Sequence, residues 1–269
     1  MKQLVLALAL VFATTSVYAR EERACCKSVP EQLQDISVTI KCESGQGSGV
    51  VILRGDTNYV LTAGHVVARA RYMEDKKVRF NDVEIVRDVI EEGRRVGTLS
   101  FAAKVISYSK ADNPGEDLAL LEVYKKHAFS SDTRFAPAKI IPIGTKLFHV
   151  GSLLGQFGSN SMTSGLLSSV GRVIGGTVYD QTSCTAFPGS SGGGVFTEDG
   201  RYMGMVVRGA GEGFNFIVPV RRIATWAKRV NAPWLLDPVA EVTKPTLEEG
   251  HEKAVTESIV APSPDPDQN

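Results

Sequence analysis

The feature that most constrains this chain is a series of short apolar, β-branched runs, each closed by glycine or another turn-forming residue. They are Ile36–Lys41, Gly49–Leu53, Tyr59–Ala63, Ala103–Tyr108, Leu118–Val123, Phe148–Gly151, Leu166–Val170, Gly194–Phe196, Tyr202–Arg208 and Phe214–Val218. Glycines such as Gly45, Gly47, Gly49, Gly55 and Gly64 punctuate them. Runs of this kind argue for an all-β barrel or sandwich and against alternating βαβ units. One helix is expected after Pro219, over about Arg221–Val230, because Ile223, Trp226, Ala227 and Val230 fall at helical spacing. The charge-rich stretch 72–97 reads as an excursion on the barrel surface. No repeat of fixed period is present.

The 269 residues suit one large domain or two small ones. Apolar residues at 43% and charged residues at 22% rule out wholesale disorder. Thirty basic residues balance thirty acidic ones, which gives no reason to expect a nucleic-acid partner. The balance hides an asymmetry: from Asp237 onward eight acidic residues face only Lys244 and Lys253. That stretch ends in Pro262-Ser263-Pro264-Asp265-Pro266 and lacks periodicity, so residues 237–269 are expected to form a disordered acidic tail.

The N-terminus has the layout of an export signal. Lys2 supplies a positive start, Leu4–Ala13 is an apolar run too short to cross a bilayer, and Val17-Tyr18-Ala19 offers small residues for cleavage after Ala19. Residues 1–19 are therefore expected to be a signal peptide and 20–32 an N-terminal segment. The mature chain is expected to be secreted or periplasmic, with no membrane anchor after cleavage. Cys25, Cys26, Cys42 and Cys184 all survive cleavage, and an even count in an oxidising compartment suggests two disulfides. A bridge between the neighbours Cys25 and Cys26 is strained, so each is expected to reach Cys42 or Cys184. No cofactor motif or metal-ligand spacing stands out, so no cofactor and no metal are expected.

Three motifs carry chemistry. Leu61-Thr62-Ala63-Gly64-His65-Val66-Val67 places a histidine at the mouth of a turn after an apolar strand. Glu116-Asp117-Leu118-Ala119-Leu120-Leu121-Glu122-Val123 places a carboxylate immediately before one. Phe187-Pro188-Gly189-Ser190-Ser191-Gly192-Gly193-Gly194 places a serine between glycines, which permit a tight turn and can aim N–H groups into one pocket. Each alone is a weak signal. Together they supply a nucleophile, a base to take its proton, a carboxylate to orient that base, and N–H donors for an oxyanion.

Order, flanks and spacing resemble the chymotrypsin-like (trypsin-fold) serine peptidases, closest to the bacterial HtrA/Deg-type and phage trypsin-like branch. Gly47-Ser48-Gly49-Val50-Val51 resembles that branch's opening hairpin. Met162 to Arg172 resembles the strand before the nucleophile region, and Gly213-Phe214-Asn215-Phe216-Ile217-Val218-Pro219 the strand closing the specificity pocket. The resemblance covers about residues 33–230. It implies two six-stranded antiparallel β-barrels within residues 33–236, with a boundary near 125–145 and a cleft between them. It implies His65 as general base, Asp117 as its orienting partner, Ser191 as nucleophile, and the N–H groups of Gly189 and Ser191 as the oxyanion hole. Thr185, Ala186 and Phe187 would line one wall of the substrate pocket, Val207, Arg208 and Gly209 the other, with Asn215 near the base.

The departures carry information too. Ser190 stands where zymogen-activated relatives have an aspartate, so activation by a newly cut N-terminus is not expected. Gly194 stands where relatives usually have proline. Thr185 puts no acid at the pocket floor, which disfavours cleavage after Lys or Arg, and a neutral small or medium apolar P1 residue is expected. Too few ordered residues follow Leu236 for a PDZ domain, so regulated oligomeric protease-chaperone behaviour is not carried over. No motif sets an oligomeric state. The implied activity is that of a serine endopeptidase acting on protein or peptide substrates. The competing readings are a catalytically silent or latent binding protein and an esterase using the same triad. An α/β-hydrolase is disfavoured, because its residues would run Ser, Asp, His. His127 and His251 read as solvated. His149 reads as lying on a strand with one face exposed, and Met162, Met203 and Met205 as packing residues. Phe214 and Phe216 read as sharing one strand face.

Overall fold

The computed structural model describes residues 27–43, 45–112, 115–209 and 211–247. The expected signal peptide, Cys25, Cys26, His251 and the acidic end of the chain lie outside the described residues. A short helix α1 (Val29–Asp35) precedes fourteen strands. These are β1 (Ser37–Cys42), β2 (Gly45–Arg54), β3 (Thr57–Thr62), β4 (Arg71–Glu74), β5 (Lys77–Phe80), β6 (Val83–Glu91), β7 (Arg94–Ser109) and β8 (Leu118–Val123), followed by β9 (Lys146–Leu153), β10 (Gly158–Ile174), β11 (Thr177–Thr182), β12 (Gly194–Thr197), β13 (Tyr202–Gly209) and β14 (Asn215–Pro219). A one-turn helix α2 (Gly64–Val67) follows β3, and α3 (Val220–Arg229) follows β14.

Two six-stranded antiparallel barrels result. The first closes in the order β1-β2-β3-β8-β7-β6, the second in the order β10-β11-β14-β13-β12-β9. The paired strands alternate buried and outward positions weakly, because both barrel interior and inter-barrel face need apolar residues. One large apolar cluster fills the first barrel and continues across the inter-barrel face to Ile223, Trp226 and Ala227 of α3. A smaller one, including Leu147, Leu167, Cys184, Val195 and Ile217, fills the second barrel.

Two expectations change here. Residues 72–97 are not only a surface excursion: Val83, Ile85 and Val86 are buried, and β6 is an integral barrel strand paired with β1 and β7. Its charged residues mask the alternation, while burying each apolar one contributes roughly 1.5–3 kcal/mol. The chain beyond Leu236, expected to be unstructured, is held to the body as far as Thr246. Thr246 N–H donates to Val230, Ser107 Oγ donates to the Thr246 carbonyl, and Trp234 Nε1 donates to Thr243. Backbone groups there find partners contributed by distant residues, which composition does not reveal.

Candidate active site

His65 lies in α2, directly after Gly64. A methyl group on Gly64 would sit 2.1 Å from the Ser109 carbonyl and 3.3 Å from the Asp117 carbonyl carbon, so only glycine lets this turn approach the Asp117 segment. Asp117 is 1% exposed and has a left-handed backbone, φ +55°. Strain of this kind persists only where surroundings over-determine it. Here the Asp117 N–H donates to Lys110, Glu116 N–H donates to Ser109 Oγ, and Arg222 of α3 grips both the side chain and the carbonyl of Glu116. The carboxylate then accepts three bonds from one residue. His65 N–H donates to Oδ1 at 2.9 Å, and Nδ1–H to Oδ1 and Oδ2, each at 3.0 Å. A carboxylate only accepts, so Nδ1 carries a proton, and in the neutral ring Nε2 is the nitrogen with the lone pair.

The serine loop comes from the other barrel and is braced from several sides. Phe187 and Ser190 bond reciprocally: Phe187 N–H donates to Ser190 Oγ at 3.1 Å, and Ser190 N–H to the Phe187 carbonyl at 2.9 Å. Ser190, buried, thus ties the turn locally. Ser191 is attached to the first barrel through its carbonyl, which accepts from Ser48 N–H at 2.8 Å. Among the described residues no hydrogen bond joins Ser191 Oγ to His65.

The Pro188–Gly189 peptide has a defined orientation. Its carbonyl accepts from Leu154 N–H at 2.8 Å. In a planar trans peptide the carbonyl and N–H point in opposite directions, so the Gly189 N–H points away from Leu154. Gly189 has φ +97°, and a methyl group there would lie 2.3 Å from the Ser152 carbonyl. Among the described residues neither Gly189 N–H nor Ser191 N–H has an intramolecular acceptor. Unpaired N–H donors on one turn are the kind of group that can receive a developing negative charge.

Beside Ser191 is a cavity of about 480 Å³. Thr185, Ala186, Phe187, Val207, Arg208, Gly209 and Asn215 all line it, with Ser190 and Ser191. Pro188, Val206, Gly211 and Glu212 also line it. These four were missed in the sequence because no residue type marks a wall position. Asn215 is buried and its Nδ2 donates to the Cys184 carbonyl at 2.8 Å, while Thr163 Oγ1 donates to the Thr185 carbonyl. The Arg208 guanidinium lies over the Tyr179 ring and donates to the Ala111 carbonyl.

His149 departs from its expected half-exposed position and is fully buried. Nδ1 donates to the Gly194 carbonyl at 3.0 Å, whereas Nε2 has no partner. Burial lowers its pKa to about 4, so the ring is neutral. Phe216 is buried and Phe214 half-exposed. Cys42 and Cys184 hold free thiols. Burial pushes the Cys42 thiol up to about 11 and raises that of Cys184, so neither serves as a thiolate nucleophile near neutral pH. No group of three or more His, Cys, Asp or Glu among the described residues could hold a metal ion.

Comparison with known proteins gives a consistent picture. The family described as trypsin-like peptidase domain matches residues 47–205. A serine protease HtrA-like protein of Staphylococcus aureus is 24% identical over 207 residues, 71% of this chain and 24% of its own length. A serine protease Do-like HtrA of Lactococcus lactis is 28% identical over 172 residues, 60% of this chain and 36% of its own length. The chain thus spans about a quarter to a third of these curated relatives. Among solved structures, an inactive form of Rv3671c from M. tuberculosis superimposes with TM-score 0.57 at 22% identity, covering 79% of this chain and 93% of that one. A serine endoprotease from Yersinia pestis gives 0.55 at 21% identity, covering 79% and 68%. At these identities the superpositions establish the fold.

Proposed function

Since the chain belongs to the trypsin-like peptidase family, we propose that it is an exported serine endopeptidase working through His65, Asp117 and Ser191. The observation that carries this reading is the bifurcated bond from His65 Nδ1–H to the buried Asp117 carboxylate. It fixes the proton of the neutral ring on Nδ1, so that Nε2 is the nitrogen that can act as general base. In this reading Nε2 takes the Ser191 hydroxyl proton as Oγ attacks the substrate carbonyl. The Gly189 and Ser191 N–H groups receive the oxyanion, and the imidazolium returns its proton to the leaving amine. Water then hydrolyses the acyl-enzyme by the same steps. Asp117 offsets the positive charge on His65 throughout.

The wall residues Ala186, Phe187 and Val207, with no acid at Thr185, support a neutral, small or medium apolar P1 residue. Export, inferred from residues 1–19, would place the enzyme outside the cytoplasm on protein or peptide substrates. Among the described residues no helix is long and apolar enough to cross a membrane. In an oxidising compartment the half-buried Cys42 is the accessible partner for Cys25 or Cys26. Cys184, in the second core, would stay reduced.

The test pairs the chain from Arg20 with its Ser191→Ala variant, using an unfolded fluorescent protein and a serine-reactive fluorophosphonate. Cleavage and labelling that vanish in the variant are expected, with peptide profiling then giving Ala, Val or Leu at P1 over Lys or Arg. Labelling without cleavage of any protein would favour an esterase. A folded wild-type chain that neither cleaves nor labels would mean a binding protein.

A further inference from the structure

We propose that Ser48, a residue of the first barrel, is the positioning residue that holds the oxyanion turn of the second barrel in its working orientation. The inference rests on the reading of Gly189 and Ser191 as oxyanion donors. Ser48 is in β2, fully buried, between Gly47 and Gly49. Every polar group it has is engaged, and three of its four bonds cross to the second barrel. Its N–H donates to the Ser191 carbonyl at 2.8 Å. Its hydroxyl donates to the Gly189 carbonyl at 2.7 Å and accepts from Ser152 N–H at 2.7 Å. Its own carbonyl accepts from Thr62 Oγ1 at 2.7 Å, on the strand leading to His65.

The pattern is specific to the turn. The two carbonyls that Ser48 holds belong to Gly189 and Ser191, the two residues of the turn whose N–H groups have no acceptor among the described residues. With the Pro188 carbonyl held by Leu154, both peptides flanking Gly189 are pinned. A glycine turn has intrinsic freedom to rotate its peptide planes. The Gly189 N–H belongs to the Pro188–Gly189 peptide, and the Gly189–Ser190 peptide that Ser48 holds meets it at the Gly189 Cα, so losing that hold frees the Gly189 backbone on one side. The backbone bond from Ser48 N–H needs no particular side chain, but the hydroxyl bond does. Removing it strands the buried Ser152 N–H and the part-buried Gly189 carbonyl, and releases one side of the turn. The effect falls on a group that interacts more strongly with the transition state than with bound substrate, so it belongs in kcat and not in KM.

The experiment measures kcat, KM and the fluorophosphonate labelling rate for wild type, Ser48→Ala and Thr39→Val, with folding checked by thermal unfolding. Thr39 is also buried and shares a hydrogen bond with Ser152 Oγ, but does not touch Gly189. It is the control for loss of a buried hydroxyl. Ser48→Ala is expected to lower kcat and labelling by about tenfold to a hundredfold, less than full removal of a donor, with KM within about twofold. Thr39→Val is expected to stay within about twofold in all three, whatever it does to the melting temperature. A folded Ser48→Ala enzyme with full kcat and labelling overturns the proposal, as does an equal loss in Thr39→Val. If Ser48→Ala does not fold, Ser48→Cys decides, since its thiol is only slightly larger than the hydroxyl and donates weakly. Labelling below the wild-type rate supports the proposal, and an undiminished rate overturns it. Labelling of wild type but not of Ser191→Ala keeps the underlying reading in place, so a null result at Ser48 then removes only this inference. A wild-type chain that is never labelled removes both.

Discussion

The two barrels contribute to the site in different ways. The first offers side chains: His65 and Asp117 stand at strand ends above a large, continuous apolar core, with Asp117 locked in a left-handed backbone. The second offers mainly backbone, in a glycine-rich turn. In the first barrel the strained Asp117 is held by hydrogen bonds on its own segment, from its N–H to Lys110 and from Glu116 N–H to Ser109, with Arg222 on Glu116. The second depends on hydrogen bonds to Leu154, Val206 and, across the interface, Ser48. Side-chain chemistry can be placed by one well-packed element, whereas aiming N–H groups requires that whole peptide planes be fixed.

This contrast can be tested in order of expected effect. Ser191→Ala should abolish turnover, a loss of about six powers of ten in kcat, with folding and KM little changed. Asp117→Asn tests the first barrel's share. It keeps the shape but favours the wrong His65 tautomer, and single-turnover kinetics should show a loss of about 10⁴-fold. A loss of less than about tenfold would mean that Asp117 serves the fold and not the base. Gly189→Ala tests the second barrel's backbone. Its methyl group meets the Ser152 carbonyl at 2.3 Å in a left-handed conformation, so kcat should fall by about 10²–10³-fold. An active Gly189→Ala enzyme would show that the turn is not constrained.

The smallest effect concerns stability. His149 titrates at about 4 in the folded chain against an ordinary 6.5. Between those values the unfolded chain binds a proton that the folded chain does not, so stability falls as pH drops from about 6.5 to 4 and is flat in this term above 6.5. The full range is worth about 3 kcal/mol. His149→Asn keeps a donor for the Gly194 carbonyl and lacks the titration. Its unfolding free energy, followed by denaturant titration at several pH values, should show a shallower slope over that window. An unchanged slope would assign the acid sensitivity to other groups.

Much of the fold was legible because strand-length β-branched runs between glycines permit few alternatives, and α3 announced itself by apolar spacing. β6 was not legible, because its buried residues Val83, Ile85 and Val86 are interleaved with charges, one of which, Asp88, is itself buried, so charge and burial do not separate along it. In the candidate site, His65, Asp117 and Ser191 stood out by residue type and flanks. Ser48 did not, since a serine between glycines reads as a turn until its four partners are known. His149 read as half-exposed, because strand alternation says which residues share a face and not which face is covered.

The sequence by itself determined the inventory: an all-β chain, one histidine after a strand, one acid before another, and one serine in a glycine turn. Tertiary structure alone decided how that inventory is held. The Asp117 backbone, the orientation of the Gly189 peptide, the burial of His149 and the reach of Ser48 into the other barrel all depend on contacts between residues far apart in sequence, such as Ser48 and Gly189. Local preference acts over a few residues. Hydrogen-bond satisfaction and packing act on whatever the closed barrels bring together, and no linear pattern records that meeting.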